Sequence, residues 1–454
     1  MASICTSNVT SGFIDLATFD ELEKYLYGGP DATAYFVRET RKSTWFTQVP
    51  VVLSRNAGTP AFGTEWSVSI SRAGDYLLQS WLRLTTPSIT FAGGAQGRWT
   101  RNFMHNIISD CCITFNDLVA AKFDNYQLDF WAAFTVPAGK QVGYNNMIGN
   151  VPSMTNVGPT IAPQTLNLPL PFFYGRDSGV ALPTAALPYN EMRINFSFRN
   201  WNQLLMVVTP GAVGEQRQVP TTADFVGGTE PQLGPCQVWS NYAIVSNDER
   251  KRMACAPRDI LIEQVQVAPR QNFGPVNNAT PSFDIRFSHA IKVLFFAVRN
   301  TTFAGEWSNY LTSSPVSAAP GAPIFTPTGT ADPILQTSLI YENTNRLAQM
   351  GSDYFSLVNP YFHAPVIPTA GGYHMYSYSL DFINLDPMGS TNYGKLTNVS
   401  IVPEASQAAI NANASPPVAG PPGADYQQRY EFIVTAVNNN IIRISGGALG
   451  FPVL

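Results

Sequence analysis

The chain has 454 residues, a net charge of −4 at pH 7, and 13% charged against 45% apolar residues. Soluble proteins usually contain about 25% charged residues, so a surface this poor in charge predicts extensive burial against other molecules. The acidic balance excludes binding to a nucleic-acid backbone as the main task, because that affinity depends on clustered Lys and Arg. The length predicts two domains of about 200 residues each.

The N-terminus predicts a short amphipathic helix. Thr18 and Glu21 have the spacing of a capping box, and the Gly28-Gly29-Pro30 sequence ends the helix. The apolar side chains at helical spacing are Phe19, Leu22, Tyr25 and Leu26. Neighbouring acidic residues make an anionic membrane a poor partner for this helix. We therefore expect the helix to dock on protein, within an N-terminal arm of residues 1–33.

Beyond the arm, the hydrophobic period changes from 3.6 to 2, which predicts β-strands joined by turns and long loops. Three pairs of similar sequences recur in the same order: 67–84 with 283–298, 111–118 with 337–344, and 243–253 with 434–444. Such self-similarity predicts two copies of one structural unit.

The repeat predicts an all-β fold, a tandem double jelly roll made of two eight-stranded antiparallel β-sandwiches. The first jelly roll is expected over residues 34–255 and the second over 256–454. Small inserted helices are expected at 125–134 and, in the corresponding place of the second copy, at 345–355.

Turns between strands are predicted where glycine and aspartate cluster, because glycine permits sharp turns and aspartate side chains bond main-chain N–H groups. The structural turn residues expected on this basis are Gly74, Asp177, Gly179, Gly389 and Gly394. The stretch 386–401, DPMGSTNYGKLTNVSI, is predicted to be a turn that leads into a late strand.

The sequence offers little for catalysis, metal binding or cofactor binding, so we expect none of these sites. The four histidines stand alone rather than at metal-ligand or triad spacing, and they are His105, His289, His363 and His374. Phosphate-binding loops, dinucleotide fingerprints and nucleophile elbows are not found. One alternative stays open, a double β-sandwich that binds or cleaves glycans, because aromatic side chains stack on sugars and catalytic carboxylates have no fixed spacing.

The cysteines and the N-terminal sequence favour a chain made in the cytosol. Adjacent cysteines such as Cys111 and Cys112 point to opposite faces of a strand, which favours free thiols over a disulfide framework or a zinc site. The first ten residues lack the apolar core of a signal peptide. Residues 290–298 are about half as long as a membrane span and include Lys292, so no transmembrane segment is expected.

Six Asn-x-Ser/Thr sequons are possible glycosylation acceptors, although without secretion most are expected to stay unmodified. They are Asn8, Asn195, Asn278, Asn300, Asn398 and Asn413.

Several long strings resemble the iridovirus major capsid protein family, in order along essentially the whole chain. Among them are FMHNIISDCCITFND (103–117), GYNNMIGN (143–150), LIYENTNRLAQMG (339–351), PMGSTNYGKLTN (387–398) and NNNIIRISGGALGFPVL (438–454). The segments at 9–29 and 168–194 resemble the family as well.

This resemblance implies the double jelly-roll capsid protein of nucleocytoplasmic large DNA viruses, a structural protein and not an enzyme. Three copies would form a pseudo-hexagonal trimer, and trimers would tile an icosahedral shell around an internal membrane. The implied partners are other copies of the chain, minor capsid proteins and membrane-anchoring viral proteins, without direct contact to nucleic acid. Assembly would take place in the host cytoplasm. A penton-like minor subunit is a further alternative, although a single jelly roll would suit that position better.

We further hypothesise where the contacts of the chain form. The N-terminal helix would lie beneath the shell against a neighbouring or minor protein. The loops at 145–164 and 302–333 would be candidates for the outer surface or for trimer contacts.

Overall fold

The structure is a computed structural model that describes residues 2–18, 20–28, 36–208, 219–276, 280–315, 325–326, 331–414 and 427–451. Contacts within the chain define two compact units, Met1–Trp45 and Phe46–Leu454.

The first unit contains helices α1 (Ala2–Ala17) and α2 (Lys24–Tyr27). The helix predicted between Thr18 and Gly28 is present only as the short α2, and the longer helix α1 precedes it. The hydroxyl of Thr18 donates to the main-chain oxygen of Asp15 at 2.6 Å, so it closes α1 instead of forming a capping box. Phe19 lies outside the described residues, as does the side chain of Tyr25. Leu22 and Leu26 are 79% and 78% exposed.

The second unit begins with the strands of the first sandwich. In chain order they are β1 (Phe46–Val52), β2 (Arg55–Ala57), β3 (Glu65–Ser69), β4 (Tyr76–Thr85), β5 (Ile89–Thr90), β6 (Gln96–Trp99), β7 (Ile108–Phe115), β8 (Leu118–Asp124), β9 (Thr160–Ile161), β10 (Thr165–Pro169), β11 (Leu182–Pro183), β12 (Met192–Phe198), β13 (Leu205–Val208) and β14 (Cys236–Val245). One antiparallel sheet has the order β1-β14-β4-β10, and the facing sheet has the order β2-β3-β12-β7-β8.

The second sandwich follows. Its strands are β15 (Arg258–Val267), β16 (Gln271–Phe273), β17 (Phe283–Asp284), β18 (Ala290–Asn300), β19 (Ser314–Pro315), β20 (Phe325–Thr326), β21 (Ile334–Tyr341), β22 (Thr344–Gly351), β23 (His374–Ser377), β24 (Thr391–Asn392), β25 (Val399–Ala405), β26 (Tyr430–Ser445) and β27 (Ala448–Gly450). Its two main sheets have the orders β15-β26-β18-β23 and β17-β25-β21-β22.

The two sandwiches repeat one strand order. Each strand of β1-β14-β4-β10 has a counterpart in β15-β26-β18-β23, and β3-β12-β7-β8 corresponds to β17-β25-β21-β22. Among the described residues, no strand of one sandwich pairs with a strand of the other. The predicted eight-stranded antiparallel sandwiches are confirmed, while the domain limits at 33 and 255 stay a prediction.

Two of the three sequence matches follow the repeat. The first aligns β3 and β4 with β17 and β18, and the second aligns the β7–β8 hairpin with the β21–β22 hairpin. Both hairpins turn through two residues with positive φ, Asn116-Asp117 and Glu342-Asn343. The third match is only partial, because residues 247–255 form a helix whereas the matched segment of β26 is all strand.

The helices of the second unit are short and lie between strands. They are α3 (Phe103–Asn106), α4 (Asn125–Thr135), α5 (Ala138–Ile148), α6 (Pro152–Thr155), α7 (Asn247–Cys255), α8 (Asn359–His363) and α9 (Gln407–Asn413). The predicted insertion at 125–134 is confirmed as α4. The loop predicted from residue 145 contains the end of α5, the whole of α6 and β9. The helix predicted at 345–355 is displaced: this segment begins as β22, and helix follows as a π-helical turn at Tyr354–Val358 and α8.

Each sandwich has an apolar core between its sheets, because alternate strand residues point inward. In β4 the buried residues include Leu82 and Leu84, and in β18 they include Leu294 and Phe296. The sandwich fold therefore follows from the period-2 pattern of the sequence.

The predicted turn residues all lie in connections between strands, and their role as structural turns stays a prediction. Gly389 has φ of +115°, and an added Cβ would lie 2.9 Å from the main-chain oxygen of Tyr378. At Gly74 an added Cβ would lie 2.5 Å from Cβ of Tyr242. Both positions require glycine because a side chain would clash.

The turns at Asp177 and Gly394 are formed by other groups than expected. The main-chain oxygen of Asp177, rather than its carboxylate, accepts from the N–H of Val180 at 3.2 Å, across Gly179. The N–H of Gly394 donates to the side-chain oxygen of Asn392 at 3.0 Å. The stretch 386–401 thus turns and then enters β25, as predicted.

Candidate functional site

The two sandwiches meet at a buried junction built around α4. The carboxylate of Asp124 caps this helix by accepting from the N–H of Gln127 at 2.9 Å. Tyr126, Phe130 and Phe134 follow at a spacing of four residues, and all three are fully buried. They pack on the outer face of the sheet β15-β26-β18-β23, the face opposite to the core of the second sandwich.

The ring of Phe295 on β18 is central to this contact. Its centroid lies 5.8 Å from that of Phe130 and 5.5 Å from that of Phe134, in stacked arrangements. Around it lie apolar residues of β18, β23 and β26, namely Val293, Ala297, Met375, Ile433 and Val437. The junction therefore has a hydrophobic core of its own, which opposes rotation of one sandwich against the other.

A buried ion cluster crosses the junction next to this core. Glu306 of the second sandwich pairs with Arg98 and Arg101 of the first, and Arg101 Nε lies 3.0 Å from Glu306 Oε1. The side chains of Arg98 and Glu306 are 3% and 1% exposed. Burial by itself raises the pKa of the Glu306 carboxyl, but the two guanidinium groups outweigh it and hold that pKa below its ordinary value.

Asp129 on α4 is a second polar link. Its carboxylate accepts from the hydroxyls of Ser308 and Tyr310, both at 2.8 Å, and these residues belong to the second sandwich. From the first sandwich, His105 Nδ1 lies 2.6 Å from Asp129 Oδ1. The other ring nitrogen of His105 lies 2.6 Å from the hydroxyl of Tyr144. The side-chain amide of Asn102 donates to the same Oδ1 of Asp129 at 3.2 Å, so four polar contacts hold this carboxylate and with it α4.

Two guanidinium groups enclose Trp307. The Cζ atoms of Arg199 and Arg299 lie 3.9 Å and 4.0 Å from its ring centroid. Arg299 also donates to the hydroxyl of Tyr126 at 3.0 Å. Burial lowers the pKa of Arg199 to about 10, so this group keeps its charge at neutral pH.

Lys292, the single charge within the apolar stretch 290–298, belongs to a third buried cluster. Its Nζ donates to Glu263 Oε1 at 2.6 Å. Arg176 of the first sandwich reaches the same carboxylate at 3.4 Å and lies over the ring of Trp131, 3.6 Å from the centroid. The lysine is therefore structural, and its partner explains how a charge is tolerated in a buried strand.

An open groove of about 1010 Å³ lies beside this cluster on the first sandwich. One wall is the outer face of β4 and β10, and the other wall is α4 and α5. Trp81, Trp131, Met147 and Pro169 are among its apolar lining residues. Among the described residues, the lining includes Lys140 and Arg176 but no carboxylate. This groove does not supply the carboxylate pair that the glycosidase alternative requires.

The four histidines occupy separate positions. His105 is in the junction, and His374 Nε2 lies 2.7 Å from the carboxylate of Asp332 in the second sandwich. His289 has φ of +63° in a turn, and His363 Nδ1 lies 3.1 Å from the main-chain oxygen of Leu380. Within the described ranges, no group of three or more His, Cys, Asp or Glu has a metal-binding arrangement.

The predicted sequons differ in accessibility. Asn300 is 2% exposed, and its amide donates to the main-chain oxygen of Leu311, so the folded chain hides this acceptor. Asn398 is exposed, whereas Asn195 and Asn413 are half-buried. Asn8 lies in α1, and Asn278 lies outside the described residues. Where described, the thiols of Cys111, Cys112, Cys236 and Cys255 are free.

Family models match both halves of the chain. A model described as "Major capsid protein N-terminus" matches residues 34–245, and one described as "Large eukaryotic DNA virus major capsid protein" matches residues 249–450. The major capsid protein of Costelytra zealandica iridescent virus is 66% identical, with 100% of both chains covered. The chain belongs to the iridovirus major capsid protein family. Within this family, the major capsid protein of Lymphocystis disease virus 1 (isolate Darai) is 49% identical, again over 100% of both chains.

Solved structures of more distant capsid proteins share the fold. The PBCV-1 virus capsid model aligns with a TM-score of 0.73 at 21% identity, covering 93% of this chain and 100% of that chain. The Faustovirus major capsid protein aligns with a TM-score of 0.68 at 11% identity, covering 91% and 93%. These neighbours are double jelly-roll capsid proteins, so the chain has a double jelly-roll fold. Its membership of the major capsid protein family makes it a structural protein of the virion capsid.

Proposed function

We propose that three copies of this capsid protein form a homotrimer with a pseudo-hexagonal outline. Such trimers tile an icosahedral shell around an internal membrane, and the chain carries out no catalysis and holds no cofactor. Assembly takes place in the host cytoplasm, without direct contact to the genome.

The observation that carries this proposal is the rigid pairing of two sandwiches with the same strand order. A pseudo-hexagonal trimer needs six similar units at fixed angles, and each chain supplies two of them. The apolar contact of α4 and the buried Glu306 and Asp129 clusters fix the angle between the two units. Buried ionic networks of this kind favour one arrangement over others, and we propose that role here.

The N-terminal arm supports a separate attachment role. On α1 the side chains of Val9, Phe13 and Leu16 share one helix face and are 60%, 67% and 74% exposed. Apolar side chains at such exposure favour contact with another protein. We propose that the arm lies beneath the shell and binds a minor capsid or membrane-anchoring viral protein. None of the described helices combines the length and apolar character needed to cross a membrane.

Trimer formation is tested by the mass of the purified protein in light scattering. We expect one sharp species at three times the chain mass of 49.6 kDa. The capsomer is a closed cyclic assembly, so the mass should not grow with concentration. A pentamer would instead support a penton-like subunit, and a monomer at all concentrations would contradict the proposal.

A further inference from the structure

Because the two sandwiches have the same strand order, each surface of the first sandwich has an equivalent surface on the second. In the first sandwich, the helix after the β7–β8 hairpin is α4, and it covers the outer face of β15-β26-β18-β23. In the second sandwich, the helix after the corresponding β21–β22 hairpin is the helical segment at 354–363, formed by the π-helical turn and α8.

This second helical segment has an unpartnered apolar face. Its Phe355 is buried against the core of its own sandwich, which fixes the segment in place. On the opposite side Leu357, Val358, Tyr361 and Phe362 are 52%, 42%, 70% and 72% exposed. Four large apolar side chains at this exposure on ten residues form a patch typical of an interaction surface.

The face that corresponds to the covered sheet is only partly covered, and its residues Trp81 and Trp239 are half-buried. It is the outer face of β1-β14-β4-β10, where the rings of Trp81 and Trp239 stack with centroids 6.3 Å apart. Next to Trp81 this face forms one wall of the groove of about 1010 Å³ described above. Tryptophan is enriched at the energetic centres of protein interfaces.

We propose that the helical segment 354–363 of one copy docks into the groove beside Trp81 of the next copy. Within a chain, α4 of the first sandwich packs on the outer sheet face of the second sandwich. The proposed contact would be the equivalent packing between two chains. The contact is heterologous, because the helical segment of one copy meets a different surface, the groove, of the next copy. Three copies then close a ring with six contacts between sandwiches, three within chains alternating with three between chains. This inference rests on the proposed trimer and names the surfaces that hold it together.

Cross-linking tests which surfaces meet. Cysteines are introduced at Phe362→Cys on the helical segment and Met147→Cys in the groove. In this chain Cys5, Cys112, Cys236 and Cys255 are replaced by serine. A short bismaleimide should convert the isolated trimer into covalent dimers and trimers. The matched control replaces Met147→Cys by Leu118→Cys, since Leu118 lies outside the groove with similar exposure, 41% against 36%. Neither the control pair nor either single variant should yield covalent trimers.

A second pair of variants tests the energetic role. Tyr361→Ser with Phe362→Ser should raise the concentration at which the trimer dissociates by more than about tenfold, since central aromatic side chains dominate interfaces. As the control, Leu118→Ser with Val119→Ser changes two apolar side chains of the β7–β8 hairpin that are 41% and 48% exposed. This variant should leave the concentration at which the trimer dissociates unchanged.

The outcomes separate this inference from the trimer itself. Suppose that the wild type is a trimer, but that the Phe362/Met147 pair cross-links no better than the control pair and the Tyr361/Phe362 serine variant dissociates like the wild type. The proposed docking contact is then wrong, while the proposed trimer is still supported. If the wild type is not a trimer, the proposed function and this inference fail together.

Discussion

Replacing Glu306 by glutamine is expected to lower the free energy of unfolding by about 3–5 kcal/mol, because it leaves the buried guanidinium of Arg98 without its counter-charge. Arg98 is 2% exposed, so water does not replace the lost counter-charge. Denaturant unfolding followed by tryptophan fluorescence measures the change. The matched control is Asp259→Asn, which removes a solvent-exposed pair with Arg443 and should leave the free energy of unfolding nearly unchanged.

The difference in free energy of unfolding between wild type and Glu306→Gln should depend on pH, because its origin is electrostatic. The folded pKa of Glu306 lies below its ordinary value of 4.5, so its ionised form stabilises the fold fully above that value. The stabilisation is lost as pH falls through the lower folded pKa. The difference in free energy of unfolding between wild type and Glu306→Gln should therefore become smaller as the pH is lowered. If this difference instead stays constant down to the pH of acid unfolding, the substitution destabilises the fold through packing. That result would contradict the electrostatic role of Glu306 at the junction.

Deleting residues 1–29 is expected to abolish shell formation while leaving the trimer intact. The arm forms a contact unit of its own, whereas both sandwich cores lie beyond residue 46, so the sandwiches should fold without it. The exposed apolar face of α1 is the part that we expect a partner to cover. Light scattering measures the trimer, and electron microscopy of cells that make the other viral capsid proteins counts closed shells.

Point variants make the arm experiment more specific. Phe13→Ser with Leu16→Ser removes the apolar face and should reduce the shell count as strongly as the deletion. Asp20→Asn with Glu21→Gln changes exposed polar groups of the same arm and should preserve assembly. Normal shells from the deletion would rule out the attachment role of the arm.

The sequence predicted the architecture because that information is local. The alternating strands, the repeated segments 111–118 and 337–344, and the inserted helix at 125–134 each follow from residue patterns within short windows. Helix α1 was missed because its first turns are rich in Ser, Thr and Asn, residues of modest helix propensity, and Gly12 lies in its interior. The prediction followed the apolar spacing after Thr18 instead.

The junction could not be predicted from the sequence. Glu306 lies 208 residues from Arg98, and Tyr310 lies 181 residues from Asp129. No local pattern connects residues so far apart, and none of them stands in a motif that marks a buried contact. Lys292 gave the one available signal, since a lysine within a strongly apolar strand requires a buried counter-charge. The sequence does not say that Glu263 provides it.

The central claim is that two rigidly paired sandwiches per chain build a six-unit capsomer from three chains. Electron microscopy of the purified trimer, with averaged views along its symmetry axis, tests this most directly. We expect a hexagonal outline with six lobes of similar size, alternating between first and second sandwiches. An average with three separate two-lobed arms, or with fivefold symmetry, would contradict it.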